Sequence, residues 1–107
     1  MQQHFFIKDR STVYKINFSD ISLIEGTLNY CKIHTRQHSF TTLVTMKKIM
    51  EALPGDEFIR VHKSYIVAVQ HISKISRGQV HLNTERFVPI GDTFRQGLDS
   101  MVTKSLL

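Results

Sequence analysis

Apolar and polar residues alternate along most of this chain with the two-residue period of half-buried strands. Phe5-Phe6-Ile7 reads as a short strand, and Asp9-Arg10-Ser11 as a tight turn. A second run sets Tyr14, Ile16 and Phe18 on one face and Lys15 and Asn17 on the other. Ser19-Asp20 breaks it, and Ile21 to Glu25 forms a third, mostly apolar strand. After the loop Gly26-Thr27-Leu28-Asn29, the run Tyr30 to Thr35 puts Cys31 and Ile33 inward and Lys32 and His34 outward. Arg36-Gln37 then turns the chain into a hairpin partner, His38 to Val44.

The period changes to a helical one at Thr45, which can cap an N-terminus. Met46, Ile49, Met50 and Leu53 recur at helical spacing and Pro54-Gly55 ends the run, leaving Lys47, Lys48 and Glu51 on the wet side. Strand patterning returns from Phe58, with Ile59 and Val61 on one face and Phe58, Arg60 and His62 on the other. The apolar pattern stops at His62-Lys63-Ser64 and resumes at Tyr65-Ile66-Val67. Two readings stand for that interruption: a rigid polar tip held between hydrophobic anchors, or a plain solvated turn. Further strands follow at Ile72 to Ser76, Gln79 to Asn83 and Arg86 to Ile90, joined by turns at Arg77-Gly78 and Thr84-Glu85. Val80 and Leu82 face in; Gln79 and His81 face out. From Asp92 or Thr93 a last helix is expected, with Phe94, Leu98, Met101 and Val102 as its stripe, although Gly97 inside it costs about 1 kcal/mol against alanine. The pattern predicts a mainly β domain of roughly eight to ten short strands with one or two helices.

At 107 residues and 41% hydrophobic content the chain suits one globular domain, expected over residues 5–107. Residues 1–4 are polar and are expected to be frayed or the remnant of a linker. No apolar run approaches the ~20 residues of a membrane span, so no membrane partner is expected. Cys31 is the single cysteine, which excludes an internal disulfide and fits a reducing cytoplasm. Fourteen Lys and Arg against nine acids give a net charge of +5, the footprint of a polyanion binder.

Catalytic patterns are missing: there is no Gly-x-Ser-x-Gly elbow, no phosphate-cradling glycine loop and no His-Glu-x-x-His. Cys31, on the inward face of a strand, reads as a small core residue and not as a nucleophile. His34 and His38 flank a hairpin turn without a nearby third ligand, so neither a metal nor any other cofactor is expected.

Two halves of the chain nevertheless carry a recognisable signature. Asp20-Ile21-Ser22-Leu23-Ile24-Glu25-Gly26 with Asn29-Tyr30-Cys31-Lys32-Ile33-His34-Thr35 is similar to the first half of LytTR domains, the DNA-binding output modules of bacterial response regulators. Phe58-Ile59-Arg60-Val61-His62-Lys63-Ser64-Tyr65-Ile66-Val67 resembles that family's most recognisable segment. Ile72 and Ile75 continue its I-x-x-I strand, and Val88-Pro89-Ile90-Gly91 its closing element. The match spans about residues 5 to 100.

The resemblance implies about ten strands in small antiparallel sheets, stacked in an elongated β-β-β arrangement with short helices. It further implies sequence-specific binding of double-stranded DNA at promoter direct repeats, in transcriptional control within a two-component system. Loops, not a recognition helix, would enter successive major grooves. Carried over by position, the contact regions fall on Asn29, Tyr30 and Cys31; on His62, Lys63 and Ser64; and on the segment after Pro89-Ile90, with Thr93 and Arg95. That last segment departs from the family pattern, holding Gly91-Asp92-Thr93 where members place a serine and then basic residues. Ala68 stands where members often carry asparagine.

Chemically, Lys63 or Arg95 can pair with guanine O6 and N7 or neutralise a phosphate, and Asn29 can read adenine N6 and N7. The departure at Gly91-Asp92-Thr93 motivates an alternative, a small β module that binds a protein and has lost DNA. The isolated domain is expected to be a monomer, with dimers expected only in a full-length regulator or on DNA, and no receiver domain is read in this sequence.

Overall fold

The computed structural model describes residues 2–107. Ten strands form three antiparallel sheets: β1 (His4–Asp9), β2 (Thr12–Asn17), β3 (Ile21–Gly26), β4 (Cys31–Thr35), β5 (Ser39–Thr42), β6 (Phe58–His62), β7 (Tyr65–Ala68), β8 (Ile72–Ser76), β9 (Gln79–Leu82) and β10 (Phe87–Pro89). Two helices, α1 (Met46–Ala52) and α2 (Arg95–Thr103), and three single-turn 3-10 segments complete the described residues.

The middle sheet carries five strands in the order β5-β4-β3-β7-β6, flanked by the β1-β2 hairpin and by the three-stranded β10-β9-β8 sheet. Layering of this kind produces an elongated body, 45 × 28 × 25 Å. Because the middle sheet is covered on both faces, there are two cores. Phe5, Ile7, Ile16, Phe18, Ile24, Ile33, Ile49 and Phe58 belong to the first, beneath the hairpin and α1. Leu23, Val61, Val67, Val80, Leu82, Val88 and Leu98 form the second, beneath the three-stranded sheet and α2.

Double coverage explains why β3 and β7 read as nearly continuous apolar runs. Ile66 and Ala68 enter the first core and Val67 the second. Irregularities in pairing adjust the faces. Between Ile21 and Leu23 the register slips, which lets Ile21 and Ile24, three residues apart, reach the same core. A similar slip lies between Arg60 and His62. Phe58 is buried in the first core while Ile59 and Val61 pack in the second, the opposite faces that alternation gives them.

Local chemistry accounts for the ends of the elements. Thr45 Oγ1 accepts a hydrogen bond from the Lys48 amide at 3.1 Å, the cap expected for α1. At the β8–β9 turn Arg77 and Gly78 both have positive φ, 53° and 76°, as a two-residue hairpin loop matched to strand twist requires. The last helix begins as a 3-10 turn, Asp92–Phe94, and only Leu98 of its stripe is fully buried. Its apolar side meets the rim of the second core, which is why Met101 and Val102 are only partly covered. At the N-terminus β1 starts at His4, inside the segment expected to be frayed, and the Gln3 carbonyl accepts from the Phe18 amide at 3.0 Å. Met1 lies outside the described residues.

Candidate nucleic-acid interface

The interruption at His62-Lys63-Ser64 is a hairpin turn between β6 and β7, with His62 paired to Tyr65 across it. Neither central residue, Lys63 nor Ser64, is in the left-handed conformation that the favoured two-residue loops adopt. Side-chain bonds from His62 and Arg60 hold it instead. The Ser64 amide donates to His62 Nδ1 at 3.1 Å, which leaves the proton of a neutral imidazole on Nε2. Arg60 Nη2 donates to the Lys63 carbonyl at 2.6 Å, and Arg60 Nε to that of His62 at 3.4 Å. His62 and Tyr65 pack ring against ring, 5.4 Å between centroids. Lys63 itself is exposed, with its ammonium in water. This is a braced polar tip, not a loose turn.

The loop between β3 and β4 lies beside it. The Gly26 amide donates to the Ser64 carbonyl at 2.9 Å, joining the two segments by their backbones. The Thr27 amide then closes the loop onto the Tyr30 carbonyl, also at 2.9 Å. Asn29 is exposed, and Tyr30 is 42% exposed. At Gly26 the backbone comes so near the Met46 side chain that a Cβ there would collide with Met46 Cγ and Sδ. Glycine is therefore needed for α1 to begin directly behind the loop.

Cys31 does not belong to the surface. It is fully buried, and its thiol donates to the Val44 carbonyl at 3.3 Å and touches Met46 Sδ at 3.6 Å. Burial pushes this thiol up from its ordinary value, against an opposing pull from the charge of Arg60. The alternation that put Cys31 inward described it correctly; the contact role carried over from the family signature does not suit a side chain with no solvent access. Cys31 instead helps to seat α1 against the loop.

The third segment meets the turn from the other side. The Gly91 amide donates to the Val61 carbonyl at 2.8 Å, and a Cβ at Gly91 would stand 3.4 Å from His62 Cα and 3.5 Å from its Cδ2. Phe94 follows, its ring centroid 5.1 Å from the Arg60 guanidinium carbon. Thr93 and Arg95 are both exposed. Asp92 makes no helix cap; its fully exposed carboxylate lies 3.9 Å from the half-exposed Arg95 Nη2, a surface pairing that holds Arg95 weakly. A Cβ at Gly91 would be tight only against Phe94 Cδ2, at 3.3 Å, with His62 in ordinary van der Waals contact.

Seven of the eight residues expected at the interface stand on or beside these three joined segments. Two more stand outside those eight, although the sequence offers Lys47, with Lys48, as a candidate phosphate contact. Arg60 lay in a strand as one polar alternation among several, yet its guanidinium ties the turn to Phe94. Lys47 reads as the solvated face of α1, but it shares an open groove with Thr27, Leu28, Thr45, Arg60, Lys63 and Ser64. Basic residues flanking the apolar-polar boundary were the only available signal, and Lys48 carries it equally.

Away from this edge the main ionic feature joins the middle sheet to the β9–β10 turn. Glu25 Oε1 accepts from His34 Nε2 at 2.6 Å and from Arg86 Nη1 at 3.1 Å. Burial alone would raise the Glu25 carboxyl, but the His34 hydrogen bond and the charge and hydrogen bond of Arg86 outweigh it, and the carboxyl sits below its usual value. His34 is engaged with Glu25 and Ser39, while His38 meets the edge of Phe40. Among the described residues no group of three or more His, Cys, Asp or Glu is placed to hold a metal ion. Nor, among them, is any helix long and apolar enough to cross a membrane.

Comparison with known proteins places this arrangement. Residues 11–103 match the family described as LytTr DNA-binding domain. The chain is 32% identical over 83 residues to the CO-responsive transcriptional regulator RcoM of Rhodospirillum rubrum, covering 71% of this chain and 35% of that protein. It is 37% identical over 46 residues to the sensory transduction protein LytT of Bacillus subtilis, covering 43% of this chain and 19% of that one. The chain thus spans about a third and about a fifth of these two relatives. A solved LytTr DNA-binding domain from Bacillus cereus superposes with a TM-score of 0.81 over 95% of this chain and 98% of its own, at 20% identity, a likeness of fold.

Proposed function

We propose, from the premise that this chain belongs to the LytTr DNA-binding domain family, that its three joined segments are the surface that reads duplex DNA. The family assignment makes the chain a DNA-binding domain of transcription regulators; the contact residues are our reading. The observation that carries it is the pair of backbone hydrogen bonds, Gly26 to Ser64 and Gly91 to Val61, which fuse loops far apart in sequence into one polar edge.

In this reading the fused edge enters the major groove. Lys63 and Arg95 supply fork or point charges to guanine or phosphate, and Asn29 reads adenine by a paired donor and acceptor. His62 donates through Nε2, while the Tyr30 and Thr93 hydroxyls and Ser64 bind phosphate oxygens. Lys47, on the near side of α1, neutralises a further phosphate. Arg60 stays within the protein as a brace. Preformed loops lose little entropy on contact, so phosphate neutralisation provides most of the affinity and a few base-edge contacts most of the discrimination. In the whole regulator two such domains would occupy direct repeats at a promoter. No observation favours the alternative of a protein-binding module.

Titrating a fluorescent duplex at rising salt tests this. Affinity should fall linearly on a log–log plot, and Lys63→Ala and Arg95→Ala should each either reduce that slope by about one phosphate or relax base preference at one position at a cost of about 1–3 kcal/mol. Binding that ignores both salt and these substitutions would refute it.

A further inference from the structure

Leu28 is 91% exposed in the loop between β3 and β4. A single exposed leucine is ordinary on a protein surface. This one differs in its neighbours: the groove it lines is rimmed by Lys47, Arg60 and Lys63, and the exposed amide of Asn29 follows it directly. Its loop is closed by the Thr27 to Tyr30 hydrogen bond and fixed to the polar tip through Gly26, so the leucine is presented, not trailing.

Resting on the reading of this edge as the DNA surface, we infer that Leu28 is a specificity residue that senses the C5-methyl group of a thymine. Among the groups exposed in the major groove, that methyl is the apolar one, and apolar side chains read it by contact. A neighbouring pair of readers then has a physical complement. Asn29 suits adenine N6 and N7, and Leu28 suits the methyl of the thymine in the same or the adjacent base pair. The spacing agrees, because consecutive Cα atoms lie roughly 3.8 Å apart and base pairs rise roughly 3.4 Å. Leu28 carries no charge, so its contribution is separate from phosphate neutralisation and does not weaken with salt.

The test uses the whole chain and a duplex chosen from a random pool by the wild-type protein. Each thymine is replaced in turn by deoxyuridine, which lacks only the methyl. Wild-type affinity should fall about fourfold at one thymine position, the worth of one buried methyl, and Leu28→Ala should be indifferent to that replacement. Leu28→Ala should also bind the unmodified duplex about fourfold more weakly with an unchanged salt slope. The adenine in or next to that base pair, replaced by 7-deazaadenine, should weaken the wild type and not Asn29→Ala. Equal deoxyuridine profiles for wild type and Leu28→Ala would overturn the inference while leaving salt-dependent binding intact. Absence of salt-dependent duplex binding by the wild type would overturn the reading beneath it, and the inference with it.

Discussion

Arg60→Lys separates charge from geometry at the interface. Lysine keeps the positive charge and loses the planar fork that spans the Lys63 and His62 carbonyls and lies against Phe94. The 2.6 Å bond to Lys63 involves a charged donor, a class worth about 1.5–3 kcal/mol, and its exposure puts it at the low end. At 3.4 Å the His62 bond is at the limit of usefulness and adds little. The stacking on Phe94 is worth about 0.5–1 kcal/mol at a half-exposed site. Alanine should therefore cost about 2 kcal/mol, and lysine, which can still meet one carbonyl, about 1 kcal/mol. For a domain of this size the lysine variant should unfold about 4–8 °C lower. A looser turn should weaken DNA binding by about fivefold, with the salt slope unchanged because no phosphate contact is lost. Differential scanning calorimetry and anisotropy titrations at two salt concentrations measure both effects. Wild-type stability and affinity in Arg60→Lys would refute the bracing role. A shallower salt slope in Arg60→Ala would refute it differently, by making Arg60 a phosphate contact.

Other perturbations reach the supporting structure. Gly26→Ala should displace Met46 and the start of α1, costing about 1–3 kcal/mol as overpacking does; chemical denaturation would measure it, and a neutral result would contradict the close approach there. Glu25 has a folded-state value below its unfolded one, so the unfolded chain binds more protons. Its stabilisation is complete above the ordinary carboxyl value of 4.5 and is lost as pH falls through the lower folded value. Glu25→Gln should flatten the acid limb of a stability–pH curve; an unaltered limb would remove the carboxylate from the account. Cys31 should resist an aromatic disulfide reagent in the native state and react stoichiometrically once denatured, since its thiol is buried and its value raised. Rapid native labelling would contradict that placement.

How much of this could be read from the residues depended on whether their environment was local. Alternation placed Cys31, Ile33, Val80 and Leu82 inward, and capping with a Pro-Gly stop delimited α1, because strand faces and helix ends are short-range properties. Alternation also set Phe58 opposite Ile59 and Val61, as the two cores hold them, but it could not show that both faces of that strand are covered. The motif signature pointed to Lys63 and Asn29 as contacts, but it could not show that Gly26 and Gly91 stitch their loops to one turn. Nor could it show that Arg60 faces the protein and Lys47 the groove. Those are consequences of tertiary packing, visible only when β3, β6 and the segment before α2 are brought together. Cys31 illustrates the opposite hazard, in which position within a family motif suggested contact while the strand pattern already indicated burial.

The central claim, that one edge of the molecule faces DNA, is tested most directly by following backbone amide resonances while a selected duplex is added. The account predicts that the shifted signals cluster on Thr27 to Tyr30, His62 to Ser64 and Gly91 to Arg95, with the Lys47 region, and that the β1–β2 hairpin stays still. Shifts concentrated on that hairpin, with the three joined segments unchanged, would contradict it.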